Sequence, residues 1–266
     1  MRAPAKTLRN GETLDTFYHG RIRVLQTKKG YRFSVDAPLL ADFIRTRPDD
    51  EALELGTGNG IIALLLSIKL FKRITAVEIQ EGPAELARRN VVLNGLDGRI
   101  EVVTADWRTF EPGRTYDLIF SNPPYIRRST GFLSASAEKS AAKHELHGGI
   151  VEVLKKTAEL LSPGGRACFV YPEKRRADFL AAAGECGLQV RRLRFVNARE
   201  GEPPNLFLIE LDRAGAKAGD SRVDVQGTGP RQGPSDVSPQ TQLMTPLVLF
   251  GPDGKYTADA EAVFSG

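Results

Sequence analysis

Residues 52–70 join three things in order: the short apolar strand Ala52-Leu53-Glu54-Leu55, the turn Gly56-Thr57-Gly58-Asn59-Gly60, and the apolar helical run 61–70. A strand that passes through glycines straight into a helix needs a parallel neighbour to pair with, because the helix must carry the chain back across the sheet. The same grammar recurs downstream. Residues 74–78 are β-rich, and 83–94 form a helix with Pro83 at its start and Asn94-Gly95 as its stop. Residues 100–104, 116–121 and 166–171 are further strands. A helix over 150–161 is stopped by Ser162-Pro163-Gly164-Gly165, and one over 174–186 is closed by Gly187. Strands at 188–194 and 206–211 complete seven. The expectation is an α/β, Rossmann-like, seven-stranded, mostly parallel sheet with helices on both faces and a basic N-terminal extension.

The pattern divides the 266 residues into a basic N-terminal segment, 1–48, capping the site; a core, 49–212; a linker, 213–242; and a C-terminal segment, 243–266, docking back onto the core. Residues 213–242 contain no Leu, Ile, Met or aromatic residue, too little apolar surface to offset the entropy of ordering. A hydrophobic content of 41% is enough for a sizeable core, and the net charge of +4 permits an acidic partner without requiring one. Cys168 and Cys186 form no disulfide framework and read as buried packing residues. No Cys/His cluster has metal-binding spacing, no apolar run approaches a membrane span, and no signal peptide is evident. The reading is cytoplasmic, with no metal.

The glycine turn is either a plain strand–helix connection or a ligand loop whose missing Cβ atoms admit close approach. Its spacing is G-x-G-x-G, with Ile61 where a dinucleotide fingerprint needs its third glycine. Glu54 precedes the loop. Glu78 ends the next strand, eighteen residues past Gly60, where a carboxylate can accept both hydroxyls of a ribose. A free diol with no phosphate to cradle describes S-adenosylmethionine. Asp106 falls where an acid would meet an adenine amino group. Trp107 fits a pocket wall in this series, although a lone Trp is more commonly core.

Asn122-Pro123-Pro124-Tyr125 ends the fourth strand. Prolines fix φ and remove N–H donors, so the neighbouring carbonyls stay aimed at the site. An exocyclic amine conjugated to a ring, or an amide nitrogen, has a delocalised lone pair. The Asn122 side-chain oxygen and the Pro123 carbonyl can hold its two hydrogens and favour a pyramidal nitrogen, while Tyr125 stacks on the flat substrate. The bland alternative is a rigid strand-end turn.

Residues 30–43, Glu54 to Gly60, Val77-Glu78-Ile79-Gln80, Asn122 to Tyr125, Lys143-His144-Glu145-Leu146 and Glu202-Pro203-Pro204-Asn205 together resemble the bacterial valine-tRNA adenine-N6 methyltransferase family, a branch of the class I S-adenosylmethionine-dependent methyltransferases. The similarity covers roughly 12–212. The polar linker, and Pro38 where the family has Leu or a similar residue, depart from it. The resemblance implies methylation of an adenine beside a tRNA anticodon. It also implies a cofactor site of Glu54, Gly56, Thr57, Gly58, Asn59, Gly60, Glu78, Ile79, Asp106, Trp107 and Asn122, with Phe33, Ser34 and Asp36 over the methionine end.

Lys28, Lys29 and Arg32, crowded with Arg21 and Arg23, and Arg127-Arg128 beside the tetrad are candidate RNA contacts. Lys174-Arg175-Arg176 and Arg191-Arg192-Arg194 read as solvated faces. His144-Glu145 either braces the substrate loop or caps a helix. Three rivals share some of these features: a protein glutamine-N5 methyltransferase, a guanine-N2 RNA methyltransferase, and a non-catalytic RNA-binding scaffold that retains the fold. The first usually carries a separate helical domain ahead of the core, and the roughly 50 residues before the first strand argue against it.

Overall fold

The computed structural model of the chain describes residues 8–28, 34–123, 149–213, 238 and 240–265. In chain order the elements are β1 (Glu12–Phe17), β2 (Ile22–Thr27), α1 (Asp36–Phe43), β3 (Glu51–Leu55), α2 (Ile61–Leu66), β4 (Arg73–Glu78), α3 (Glu81–Leu93), β5 (Ile100–Thr104) and β6 (Tyr116–Ser121). Then come α4 (Ile150–Leu160), β7 (Leu161–Pro172), α5 (Arg176–Glu185), β8 (Leu188–Arg199), β9 (Pro204–Arg213), β10 (Gln242–Leu243), β11 (Leu247–Phe250) and α6 (Ala258–Ser265).

The main sheet has the order β10-β8-β9-β7-β6-β3-β4-β5, with β11 also on β8. Strands β7, β6, β3, β4 and β5 are mutually parallel, and β9 runs antiparallel between β7 and β8. The chain winds outward from β3 through β4 to β5, then returns to the other side of β3 with β6. The strand order therefore reverses between β3 and β6, and the carboxyl ends of these two strands border the crevice where ligands bind in such sheets. All seven expected strands are present, as are the helices covering both faces.

Periodicity explains the layers. The six residues of α2 are all buried, as expected of a helix with no polar stripe. One core cluster lies under α1 and α2 and includes Leu39, Leu64, Phe120 and Val170; the other includes Leu53, Trp107, Phe179 and Phe207. Helix ends at the amino edge of the sheet are closed by cations, which satisfy carbonyls the helices leave unpaired. Lys69 Nζ donates to the carbonyls of Ala41, Asp42 and Ile44 at 2.7, 2.9 and 2.7 Å. Arg213 likewise donates to Ala158 and Leu161. Arg166 pairs with Asp50 through contacts of 3.0 and 2.5 Å, both side chains nearly free of solvent.

Four sequence expectations need correction. The N-terminal segment, expected only as a basic extension with no strand of its own, contains two: β1 and β2 form an antiparallel hairpin with Phe17 opposite Ile22. Its four-residue turn runs from Tyr18 to Arg21, with Tyr18 and His19 at φ 51° and 55° ahead of Gly20 at 83°, rather than through the two-residue Asn-Gly that marks a tight hairpin. Arg192 is not on a solvated face. It is buried, donating to Glu210 at 2.7 Å and to the Phe43 carbonyl at 2.8 Å, with its guanidinium over the Phe43 ring. Its neighbours on that run are also engaged, Arg191 with Asp212 and Arg194 with the Thr245 carbonyl. Cys168 is buried, but Cys186, at the end of α5, is only partly so. Finally, Ser162 to Gly165 do more than stop α4: they lie within β7, where the pairing register with β6 shifts between Tyr116 and Leu118.

At the far edge β10 and β11 add to β8 in parallel, and α6 contributes Ala260 and Val263 to the core cluster shared with α1. Most of 213–242 lies outside the described residues. Of its ends, Arg213 closes β9 and Gln242 opens β10.

Candidate active site

The glycine loop leaves β3 with Gly56, Gly58 and Gly60 at φ 77°, 59° and 85°, a left-handed region that side chains with a Cβ enter at a cost. The first two turns are pinned to the next strand: the N–H groups of Gly56 and Thr57 both donate to the Val77 carbonyl, at 2.9 and 3.0 Å. Gly60 then packs on α3 so closely that an added Cβ would lie 3.3 Å from that of Ala87.

Two carboxylates meet at this loop. Glu78 ends β4 and is nearly buried. Its Oε2 accepts the Gly58 N–H at 2.9 Å and its Oε1 the Gln80 N–H at 3.0 Å. Glu54 is fully buried at the end of β3 and accepts the Thr57 hydroxyl at 2.6 Å. Burial, reinforced by the negative charge of Glu78, pushes the Glu54 carboxyl up to about 8. Asn59 is also inside the fold, 3% exposed, and neither its side-chain oxygen nor its nitrogen has a hydrogen-bond partner among the described residues. An orphaned amide beside a glycine loop is the kind of group a ligand or a water satisfies.

One strand over, β6 delivers Asn122 and Pro123 to the same crevice. Glu54 lies opposite Phe120 in the pairing of β3 with β6, and Ser121 Oγ donates to the Leu55 carbonyl at 2.7 Å. Gly56 and Asn122 therefore leave adjacent strands at the same level. After β5, Asp106 is held by Arg108 through Nε at 2.9 and 3.0 Å and Nη2 at 2.6 Å. Trp107 belongs to the core cluster with Leu55, Val77 and Ile119.

Ser34 is exposed and Asp36 buried at the start of α1, and Ile79 is partly buried behind Glu78. Lys28 is exposed at the end of the hairpin. Phe33, Lys29, Arg32, Pro124, Tyr125, Arg127 and Arg128 lie outside the described residues, as do Lys143, His144, Glu145 and Leu146. Arg23 turns inward onto α3, its Nη2 donating to the Leu93 carbonyl at 2.8 Å.

What sequence reading missed is Asn90 and Asn94, which tie the hairpin to α3. The available signal was Asn90 at helical spacing from Leu86, Ala87 and Leu93 on the buried side of α3.

A mostly parallel sheet with a glycine loop, an acid ending the second core strand and Asn-Pro at the switch point is a doubly wound α/β fold with polar groups gathered at its strand-order reversal. Residues 32–183 match the methyltransferase small domain family, and the chain belongs to that family. The tRNA1(Val) (adenine(37)-N6)-methyltransferase of Tolumonas auensis is 28% identical over 225 residues, covering 84% of this chain and 94% of that one. The protein of the same name from Bacteroides fragilis is 30% identical over 198 residues, 73% and 83% of the two chains. Among solved structures, Atu636 of Agrobacterium tumefaciens, a predicted O-methyltransferase, superposes with a TM-score of 0.58 at 18% identity, covering 86% of this chain and 94% of that one. Trm5b of Pyrococcus abyssi gives 0.55 at 16%, covering 77% and 57%. These structural likenesses speak to the fold.

Proposed function

We propose that the chain is an S-adenosylmethionine-dependent N-methyltransferase acting on the exocyclic amine of a nucleic-acid base, N6 of adenine in tRNA. The observation that carries this reading is the convergence, at the reversal point of the sheet, of a glycine loop braced by Glu78 with the Asn122-Pro123 strand end. The names of the relatives support the substrate class.

The residues present fit the cofactor. Glu78 would take the ribose hydroxyls, the loop from Gly56 to Gly60 would admit the chain of the ligand without Cβ obstruction, and the orphaned Asn59 amide offers a donor and an acceptor. Buried Glu54 suits a cationic ligand, and Asp106, held by Arg108, stands ready for an adenine amino group. Ser34 and Asp36, at the start of α1, would close over the methionine end. When bound, S-adenosylmethionine supplies an activated sulfonium methyl.

The protein's part is positioning. Asn122 Oδ1 and the Pro123 carbonyl accept the two amine hydrogens and so turn the nitrogen lone pair out of conjugation. Tyr125 stacks on the base. Lys28, Lys29, Arg32, Arg127 and Arg128 meet flanking phosphates. The place of action is the cytoplasm, where tRNA is.

Calorimetric titration with S-adenosylmethionine, on wild type and Asn122→Ala, tests the reading. Wild type should bind, and the variant should bind comparably while losing methyl transfer. No binding by wild type, or full activity in the variant, contradicts it.

A further inference from the structure

Helix α3 pairs with the hairpin in the way a strand would. Asn90 is fully buried. Its Oδ1 accepts the Leu25 N–H at 2.7 Å and its Nδ2 donates to the Leu25 carbonyl at 3.1 Å. One helical turn on, Asn94 Oδ1 accepts the Arg23 N–H at 2.9 Å and its Nδ2 donates to the Arg23 carbonyl at 2.7 Å. The spacing makes this possible: four residues rise about 6 Å along a helix and two residues about 6.8 Å along a strand. The two carboxamides thus fill the edge groups of β2 that no strand fills, and lock its register. A salt bridge of Arg89 to Glu12, at 2.5 and 2.9 Å, holds β1 from the same helix.

The second Nδ2 proton of Asn90 goes elsewhere, to the carbonyl of Asn59 in the glycine loop, at 3.0 Å. One buried side chain therefore touches both the hairpin and the loop. Because α3 descends from the carboxyl edge of the sheet and β2 climbs alongside it, the end of β2 delivers Lys28 toward the rim of the crevice.

We infer that Asn90 and Asn94 are positioning residues, and that Asn90 couples the hairpin's contact with a polyanionic RNA to occupancy of the glycine loop. This rests on the functional reading above. Asn94 fixes the hairpin alone, whereas Asn90 fixes hairpin and loop together. By reciprocity, cofactor and RNA each tighten the other by one common factor.

The test measures dissociation constants for S-adenosylmethionine and for total bacterial tRNA on wild type, Asn94→Ala, Asn90→Ala and the isosteric Asn90→Asp. Asn94→Ala should weaken tRNA about tenfold and leave cofactor affinity unchanged. Both Asn90 variants should weaken each ligand about tenfold, since Asp keeps the volume but loses both donated bonds. Hydrogen exchange on wild type needs no variant: saturating cofactor should slow exchange at the Leu25 amide, which Asn90 holds. Cofactor binding that leaves that amide unchanged, or Asn90 variants that fold and bind cofactor normally, overturns the coupling alone. Wild type that binds no cofactor overturns the functional reading along with it.

Discussion

The Gly58 N–H donates to Glu78 Oε2 at 2.9 Å, so the acid ending β4 holds the middle of the loop that leaves β3. One carboxylate shapes the loop and, in the proposed function, would also meet the ligand. Replacing Glu78 with Gln keeps the side-chain size but turns one acceptor into a donor and removes the charge. S-Adenosylmethionine binding should weaken by on the order of tenfold or more, as expected for a lost charge-assisted bond. Calorimetry reads this directly, and an unchanged dissociation constant contradicts the ribose assignment.

Glu54 makes stability and binding depend on pH in opposite senses. Its carboxyl has a usual value of 4.5 and is raised to about 8 by burial. Between those values the folded protein keeps a proton that the unfolded chain has lost, so stability falls as pH rises from about 4.5 to about 8 and then levels. Urea midpoints across this window should decline less for Glu54→Gln than for wild type. A cationic ligand favours the ionised carboxyl, so S-adenosylmethionine should bind wild type more tightly as pH rises through the same window. Parallel slopes for wild type and variant would count against the buried, protonated acid.

Gly60→Ala meets two obstacles at once. Its φ of 85° disfavours a Cβ, and that Cβ would press on Ala87 of α3 at 3.3 Å. The expected loss is about 1–2 kcal/mol of stability from the backbone term alone. Cofactor affinity should fall with it. Denaturant unfolding paired with calorimetry checks both, and a variant of full stability and affinity contradicts the loop geometry.

Asp50→Ala leaves Arg166 charged and buried at the amino edge of β7, with side-chain exposures of 2% and 7% for the original pair. Breaking such a pair costs about 3–5 kcal/mol, whereas replacing both partners with apolar groups of similar size is close to neutral. Unfolding midpoints of Asp50→Ala and of the Asp50→Leu, Arg166→Met double variant should therefore differ widely. Equal midpoints contradict the burial of the pair.

The alternation of apolar strands and helices was legible from residue 52 onward because hydrophobic periods of 2 and 3.6 survive in the sequence wherever one element covers another. The glycine loop and Glu78 were legible because backbone conformation restricts which residues can stand there. The hairpin was not. Its turn has a local former only in Gly20 at φ 83°; Tyr18 and His19 before it also stand at positive φ, held there by the surrounding fold rather than by local preference. Arg192 misled because a run of arginines on a strand looks solvated, whereas Glu210 stands opposite it on β9 and Phe43 and Met244 arrive from distant parts of the chain to enclose it. Asn90 escaped notice for the same reason: its partners, Leu25 and Asn59, are 65 and 31 residues away.

The most direct measurement is incubation of the protein with methyl-labelled S-adenosylmethionine and total bacterial tRNA, followed by nucleoside analysis. Label recovered as N6-methyladenosine, and lost with Asn122→Ala, is the predicted result. Label in methylguanosine, or none in RNA from a protein that binds the cofactor, contradicts it.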